Sequence, residues 1–270
     1  MPSPGEFVLE ARGLSKTFTS GRWWQKQFRH RALDHVSLSL ERGKMLAVIG
    51  ESGSGKTTLA MCLVGLERPD AGEVLLDGLS IASLDRRSRV SLRKEMQLIF
   101  QDSSAALNPR LSAIEIVEEP LLIGGYGIRK ERRELAMAMM ERVGVSPQWA
   151  QRRPHDFSGG QRQRLAIARA LTLRPKVLIL DEIFVGLDLS IQGQIANLLL
   201  DLQSSHGLSY ICISHDIALA TQIADRIVVM DKGRIVEQMT TSTLPPDAAV
   251  SNSEWNSELR QSAKKAYVGA

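Results

Sequence analysis

The chain has 270 residues, enough for one large domain or for one domain carrying a smaller insertion. Its 43% hydrophobic and 24% charged residues are ordinary for a globular protein with a sizeable core. A net charge of +4 points only weakly to nucleic acid or an anionic membrane surface, and no nucleic-acid partner is expected. No apolar run approaches the roughly 20 residues that cross a bilayer, and Met1-Pro2-Ser3-Pro4-Gly5-Glu6 has no signal-peptide core, so a chain made and kept in the cytoplasm is expected. Cys62 and Cys212 each lie inside an apolar segment, which predicts buried free thiols rather than a disulfide or a metal site.

In chain order, Phe7 to Arg12 reads as a first strand and Val36-Ser37-Leu38-Ser39-Leu40 alternates as a half-buried strand does. The aperiodic Thr19 to Arg31 between them reads as a loop. Glu41 to Lys44 is a turn into the apolar strand Met45 to Ile49, and Thr58 to Leu66 has helical spacing. Gly72 to Gly78 reads as an edge strand closed by a turn, and Met96 to Gln101 as another strand. From Asp102 to about Ser158 the pattern is helical, with Leu135, Met139, Met140 and Val143 on one face. Ser158 suits the N-cap of a helix running to Leu171, Lys176 to Glu182 is a buried strand, and Ile191, Ile195, Leu198, Leu199 and Leu202 make the next helix amphipathic. Leu208 to Ser214 returns to the sheet, Arg226 to Val236 turns as a hairpin at Lys232-Gly233, and the composition after Thr240 predicts a tail that is mobile or loosely docked. The architecture expected from these elements is an α/β core with an inserted α-helical lobe. The expected divisions are 1–101, a helical lobe 102–157, a second core part 158–239, and the tail 240–270.

Gly50-Glu51-Ser52-Gly53-Ser54-Gly55-Lys56-Thr57 fits G-x-x-x-x-G-K-S/T and lies between a strand and a helix, the context the motif needs. Its glycines let the backbone wrap a polyphosphate with N–H groups inward, and the helix N-terminus behind adds its positive dipole end. Lys56 would reach the terminal phosphates of ATP, the Thr57 hydroxyl would ligate Mg2+, and Thr58 continues the cradle. Asp181 and Glu182 end an apolar strand at the carboxyl edge of a parallel sheet. There Asp181 would hold Mg2+ through water and Glu182 would polarise the attacking water, although two acids can also simply cap a turn.

Four further segments complete a pattern: Gln101 after a strand, Phe157-Ser158-Gly159-Gly160-Gln161 opening a helix, Gly186-Leu187-Asp188 after the acids, and His215-Asp216 after the last core strand. In this order, from about Val8 to Glu237, the chain resembles the nucleotide-binding subunit of ATP-binding-cassette transporters. The resemblance implies an α/β fold made of a P-loop NTPase, RecA-like core with an antiparallel β subdomain and an inserted α-helical lobe, and it implies that two subunits dock head to tail. ATP then lies between the phosphate loop of one and Ser158, Gly159, Gly160 and Gln161 of the other, with Asp188 in the same interface. It further implies that Gln101 touches Mg2+ or the water, that His215 contacts the terminal phosphate, and that Phe18 stacks on adenine, with Trp23, Trp24 and Phe28 as rivals. Taken singly, Gln101 could be a polar cap and His215 a strand-end histidine.

Where the family has Pro-Thr-Ser-Ala-Leu-Asp after the acids, this chain has Ile183-Phe184-Val185-Gly186-Leu187-Asp188, so a hydroxyl is missing from a segment that would cross the subunit interface. Phe100-Gln101-Asp102 with Asn108-Pro109-Arg110 is similar to the dipeptide, oligopeptide and nickel importer group. The short tail and Met230 to Glu237 resemble its second nickel-import ATPase, so nickel is the first cargo expected and peptides the alternative. The partners implied are a second ATPase in a heterodimer, two membrane permeases and, indirectly, an extracytoplasmic binding protein. The place implied is the cytoplasmic face of the inner membrane, as a peripheral subunit. A soluble non-transport cassette ATPase is the reading from another class.

Overall fold

The computed structural model describes residues 6–20, 28–101 and 106–243, which form two compact units. Unit 1 joins the N-terminal part, to Arg86, with the part from Ser209 onward, and unit 2 is Arg87–Leu208.

Unit 1 holds two sheets. The first is antiparallel, with β1 (Phe7–Ser20) between β2 (Phe28–Glu41) and β4 (Ala71–Leu76), and the two-residue β5 (Leu79–Ser80) at its edge. β2 alternates as the sequence predicts, with Val36, Leu38 and Leu40 buried. β1 and β2 run further than expected: Thr19, Ser20 and Phe28 to Arg31, read as loop, are strand, paired Thr19 with Arg29 and Phe18 with His30. Ladder hydrogen bonds between two long strands override the lack of apolar periodicity at their solvated ends. β4 is not the edge strand it resembled, because the Asp77-Gly78 turn folds β5 along it.

The second sheet of unit 1 contains strands in the order β10 (Arg234–Thr240), β9 (Arg226–Asp231), β3 (Met45–Ile49), β8 (Ser209–Ser214). β3 pairs in parallel with both β8 and β9 and all five of its residues are buried, which is why it reads as an uninterrupted apolar run. α1 (Lys56–Leu63) follows β3 and α7 (Ile217–Ile223) follows β8. The helix expected to reach Leu66 stops at Leu63: Gly65 has a φ of 68° and Leu66 is exposed. Cys62 and Cys212 are buried free thiols, as expected, and burial pushes the Cys62 thiol up to about 11.

Unit 2 carries the parallel pair β6 (Met96–Ile99) and β7 (Val177–Asp181), preceded by α2 (Arg86–Glu95). Its helical part comprises α3 (Ala113–Ile123), α4 (Arg129–Arg142), α5 (Gly159–Leu171) and α6 (Leu189–His206). α3 starts where Glu115 accepts from both the backbone N–H and the hydroxyl of Ser112, at 2.8 and 2.7 Å. Arg169 of α5 bonds Glu119 of α3 at 2.7 Å, and Arg132 of α4 bonds the buried Glu118 of α3 at 3.1 Å, so ion pairs tie the three helices together. In the expected apolar face of α4, Met140 and the adjoining Val143 are fully buried while Leu135 and Met139 are half-buried. No helix among the described residues is long and apolar enough to cross a membrane.

Candidate functional site

In unit 1 the phosphate loop is shaped by backbone crowding. A Cβ at Gly50 would lie 2.3 Å from the Met230 carbonyl oxygen, and one at Gly55 would lie 2.3 Å from that of Ala32. Gly55 also holds a φ of 104° as the N-cap of α1, a conformation costly to any L side chain. The Lys56 ammonium, in a residue only 5% exposed, bonds the carbonyl oxygens of Gly50 and Glu51 at 2.8 Å each, which holds the loop curled. Ser54 is buried too, and its hydroxyl has no hydrogen-bond partner among the described residues. Gly53 has open space where a side chain would be. A curled loop with a buried hydroxyl unsatisfied and an ammonium beneath it fits a polyphosphate. Thr57 is exposed at the first turn of α1, and Thr58 is half-buried behind it.

His215 leaves the same sheet edge. Ile49 of β3 is opposite Ser214 of β8, so the phosphate loop and His215 emerge from neighbouring parallel strands, with His215 exposed. Asp216 caps α7 by accepting from Leu219 N–H at 3.1 Å, and its own backbone N–H donates to the Ser214 hydroxyl at 2.9 Å, fixing the turn that carries His215. Phe18 lies on β1, 39% exposed as a residue, with the Lys16 ammonium 5.4 Å from its ring centroid. Hydrogen bonding to Glu67 raises the Lys16 pKa and keeps that cation in place. Trp23 and Trp24 lie outside the described residues, as does the side chain of Phe28.

Unit 2 gathers the other residues. Ile99 of β6 pairs with Leu180 of β7, so Gln101 and the acid pair leave adjacent strands at one edge; Gln101 is exposed, Asp181 only 3% exposed. Glu182 is half-buried and its φ of 50° is left-handed, strain of the kind functional turns hold. Ser158 caps α5 as the sequence predicts. Its hydroxyl oxygen accepts from Gln161 N–H at 3.3 Å, and the Gln161 side chain accepts from Ser158 N–H at 2.9 Å. The turn is anchored by Phe157, which is 3% exposed, lies edge-on to Trp149 at 6.2 Å, and accepts at its carbonyl oxygen from the Arg162 guanidinium at 2.6 Å. Ser158 and Gly159 are exposed at the helix start, where the first backbone N–H groups have no carbonyl within the helix.

The loop after Glu182 lies beside this turn. A Cβ on Gly159 would meet Leu187 at 3.6 Å, and one on Gly160 would meet Ile191 at 2.5 Å. Ile183 and Phe184 are buried, whereas Val185 is 43% exposed. Asp188 caps α6 by accepting from Ile191 N–H at 2.9 Å, and Gln192 bonds the carbonyl oxygens of Phe184 and Leu187 at 3.1 Å each. Gln192 was readable only as part of the Leu189-Ser190-Ile191-Gln192 segment shared with the importer group; its role was not, because it acts on main chain.

A family model described as ABC transporter matches residues 33–185. The chain belongs to that family. The dipeptide transport ATP-binding protein DppF of Haemophilus influenzae is 45% identical over 238 residues, 88% of this chain and 73% of the relative. DppF of Escherichia coli is 48% identical over 210 residues, 78% of this chain and 63% of that one. An ATP-binding cassette solved as a dimer in a post-hydrolysis state with ADP and Pi is 30% identical, with a TM-score of 0.77 over 86% of this chain and 98% of its own. The cbiO1 cassette of Clostridium perfringens, part of the cbiONQ transporter complex, is 29% identical, with a TM-score of 0.77 over 88% and 90%. The chain is thus an ATP-binding, ATP-hydrolysing ABC transporter subunit with the α/β fold expected.

Proposed function

We propose that the chain energises uptake of di- and oligopeptides as one of two ATPases of an importer. The observation that carries this reading is its 45% identity, across most of its length, to a dipeptide transport ATP-binding protein; a di/tripeptide relative from Pseudomonas aeruginosa stands at 46% over 233 residues. Nickel, the first cargo expected from the tail and the Met230 to Glu237 segment, has no support from these relatives, so the alternative reading is preferred.

In this proposal Gly50, Glu51, Ser52, Gly53, Ser54, Gly55, Lys56, Thr57 and Thr58 hold the phosphates of ATP and Phe18 stacks on the adenine. Ser158, Gly159, Gly160, Gln161 and Asp188 meet the nucleotide bound by a second cassette, most simply a different subunit. Glu182 polarises the attacking water, His215 holds the terminal phosphate and Gln101 positions the water. The Thr57 hydroxyl, the Gln101 amide and the Asp181 carboxylate are hard oxygen donors that suit Mg2+, which would offset charge on the phosphates. A cavity of about 570 Å³ in unit 2, with Leu98, Phe100, Leu107 and Ile123 on its apolar walls and Arg93 and Lys94 at its edge, offers a seat for a permease's short cytoplasmic helix. The chain then works peripherally, on the cytoplasmic face of the membrane.

Growth on a dipeptide as the sole source of a required amino acid tests the cargo: deleting the gene should abolish growth on the dipeptide and not on the free amino acid. Loss of growth on limiting nickel instead would reverse the assignment. Replacing Phe18 by Ala should weaken ATP binding roughly 3- to 10-fold, the loss of one aromatic stack, in a titration of the purified chain. An unchanged affinity would move the adenine elsewhere.

A further inference from the structure

The β9–β10 hairpin turn, far from the phosphate loop in sequence, is bonded to it directly. Gly233 N–H donates to the Ser54 carbonyl oxygen at 2.9 Å, and Gly50 packs against the Met230 carbonyl. On its other side the turn is held by β2, where Asp34 N–H donates to the Gly233 carbonyl oxygen at 2.8 Å. The Ala32 carbonyl oxygen would meet a Cβ on Gly233 at 2.8 Å and one on Gly55 at 2.3 Å, so one short piece of β2 backs both the hairpin turn and the phosphate loop.

That piece is irregular. Between the pairs Lys16 with Leu33 and Leu14 with Val36, β1 supplies Ser15 alone while β2 supplies Asp34 and His35. His35 takes a φ of 54°, and its N–H is bonded by the Ser15 hydroxyl at 3.1 Å. Such a bulge turns backbone groups away from their ladder, and here it aims the Asp34 N–H at the hairpin. The side chain of Asp34, in a residue 8% exposed, collects His35 at 2.9 Å, Arg31 at 3.1 Å, and two N–H groups of Arg234 at 2.7 and 2.5 Å. Hydrogen bonds from His35 and Arg234 hold its carboxyl down at about 2, so it is charged at any working pH.

We propose that Asp34 and Arg234 are positioning residues that clamp the hairpin turn against the phosphate loop and thereby set the affinity of that loop for ATP. This rests on the reading of Gly50 to Thr58 as the phosphate site. Arg234 is the first residue of β10, directly after Gly233, so its bond to Asp34 keeps the turn on β2. The turn in turn fixes the orientation of the Ser54 carbonyl, and with it the peptide plane whose far side is the N–H of Gly55. Loss of the clamp costs binding made equally to substrate and transition state, which raises KM and spares kcat.

The test uses the full chain, alone for ATP titration and in its transporter complex for steady-state kinetics. Asp34→Ala and Arg234→Ala should each raise Kd and KM for ATP about tenfold, the scale of a lost charge-assisted contact, with kcat within about twofold. Arg234→Lys should recover part of the loss. Should Asp34→Ala fail to fold, Arg234→Ala decides, because that side chain is 55% exposed. A lowered melting temperature with unchanged Kd and KM in Arg234→Ala would reduce the network to scaffold and overturn the inference. Lys56→Ala separates the two claims: if it weakens ATP binding while the Asp34 and Arg234 variants do not, this inference alone fails. If Lys56→Ala is silent, the phosphate-loop reading fails with it.

Discussion

Changing Glu182 to Gln should lower kcat for ATP by about 10²- to 10⁴-fold, the range for removing a general base, while the variant still binds ATP with its original affinity. Glu182 sits one residue past β7, half-buried, with its backbone held left-handed by a turn in which Val185 N–H bonds its carbonyl oxygen at 3.2 Å. Gln matches the shape and places no new demand on φ, so the turn, the loop to Asp188 and the cap of α6 should all persist. What changes is basicity alone. Asp181, 3% exposed at the end of the same strand, keeps its carboxylate in the variant. Single-turnover measurements on the transporter complex would separate the chemical step from product release. A variant turning over within tenfold of the parent would take the base role from Glu182 and return the acid pair to a structural part.

The phosphate loop, the Ser158 cap and the strand ending at Asp181 were legible in the sequence because each is local: a glycine spacing, a serine three residues before a glutamine, an apolar run before two acids. Burial along β3 and β7 follows the apolar letters directly. What the sequence hides is non-local. β1 and β2 continue through Thr19 and Arg29 because they pair with each other, which no periodicity along either segment reveals. The edge strand read at Gly72 to Gly78 becomes internal only because two residues, Leu79 and Ser80, fold back on it. The clamp of Asp34 on Arg234 joins residues 200 positions apart through a bulge; Asp34 belongs to no motif, and Arg234 was read only within the hairpin and the Met230 to Glu237 segment that suggested a cargo. Hairpin chemistry at Lys232-Gly233 was readable; that its amide is bonded to the phosphate loop was not.

Gly160→Ala should reduce turnover of the transporter complex by about 10²-fold, the cost expected of displacing a positioned group by about 1 Å, without altering the affinity of the isolated chain for ATP. The added Cβ would lie 2.5 Å from Cγ2 of Ile191, a β-branched side chain with one stiff torsion that cannot swing aside as a long flexible one could. Either the start of α5 or the start of α6 must move. α6 is pinned there by the Asp188 cap at 2.9 Å and by the two bonds of Gln192 to the Phe184 and Leu187 carbonyls, so the strain falls on the Ser158 turn. Its partner on the other side, Phe157, is locked against Trp149, which leaves the exposed hydroxyl and N–H groups of Ser158 and Gly159 as the part that yields. If the Ser158 turn serves the nucleotide of a second cassette, ATP held by one chain alone would not register the change. Hydrolysis would, if each nucleotide must be completed by the Ser158 turn of a second cassette. Ile191→Ala in the same background should restore part of the turnover, because it removes Cγ2 and clears room for the new methyl. Equal losses of ATP affinity in the isolated chain and of turnover in the complex would show the turn serving its own subunit, and the division of each site between two cassettes would have to be abandoned.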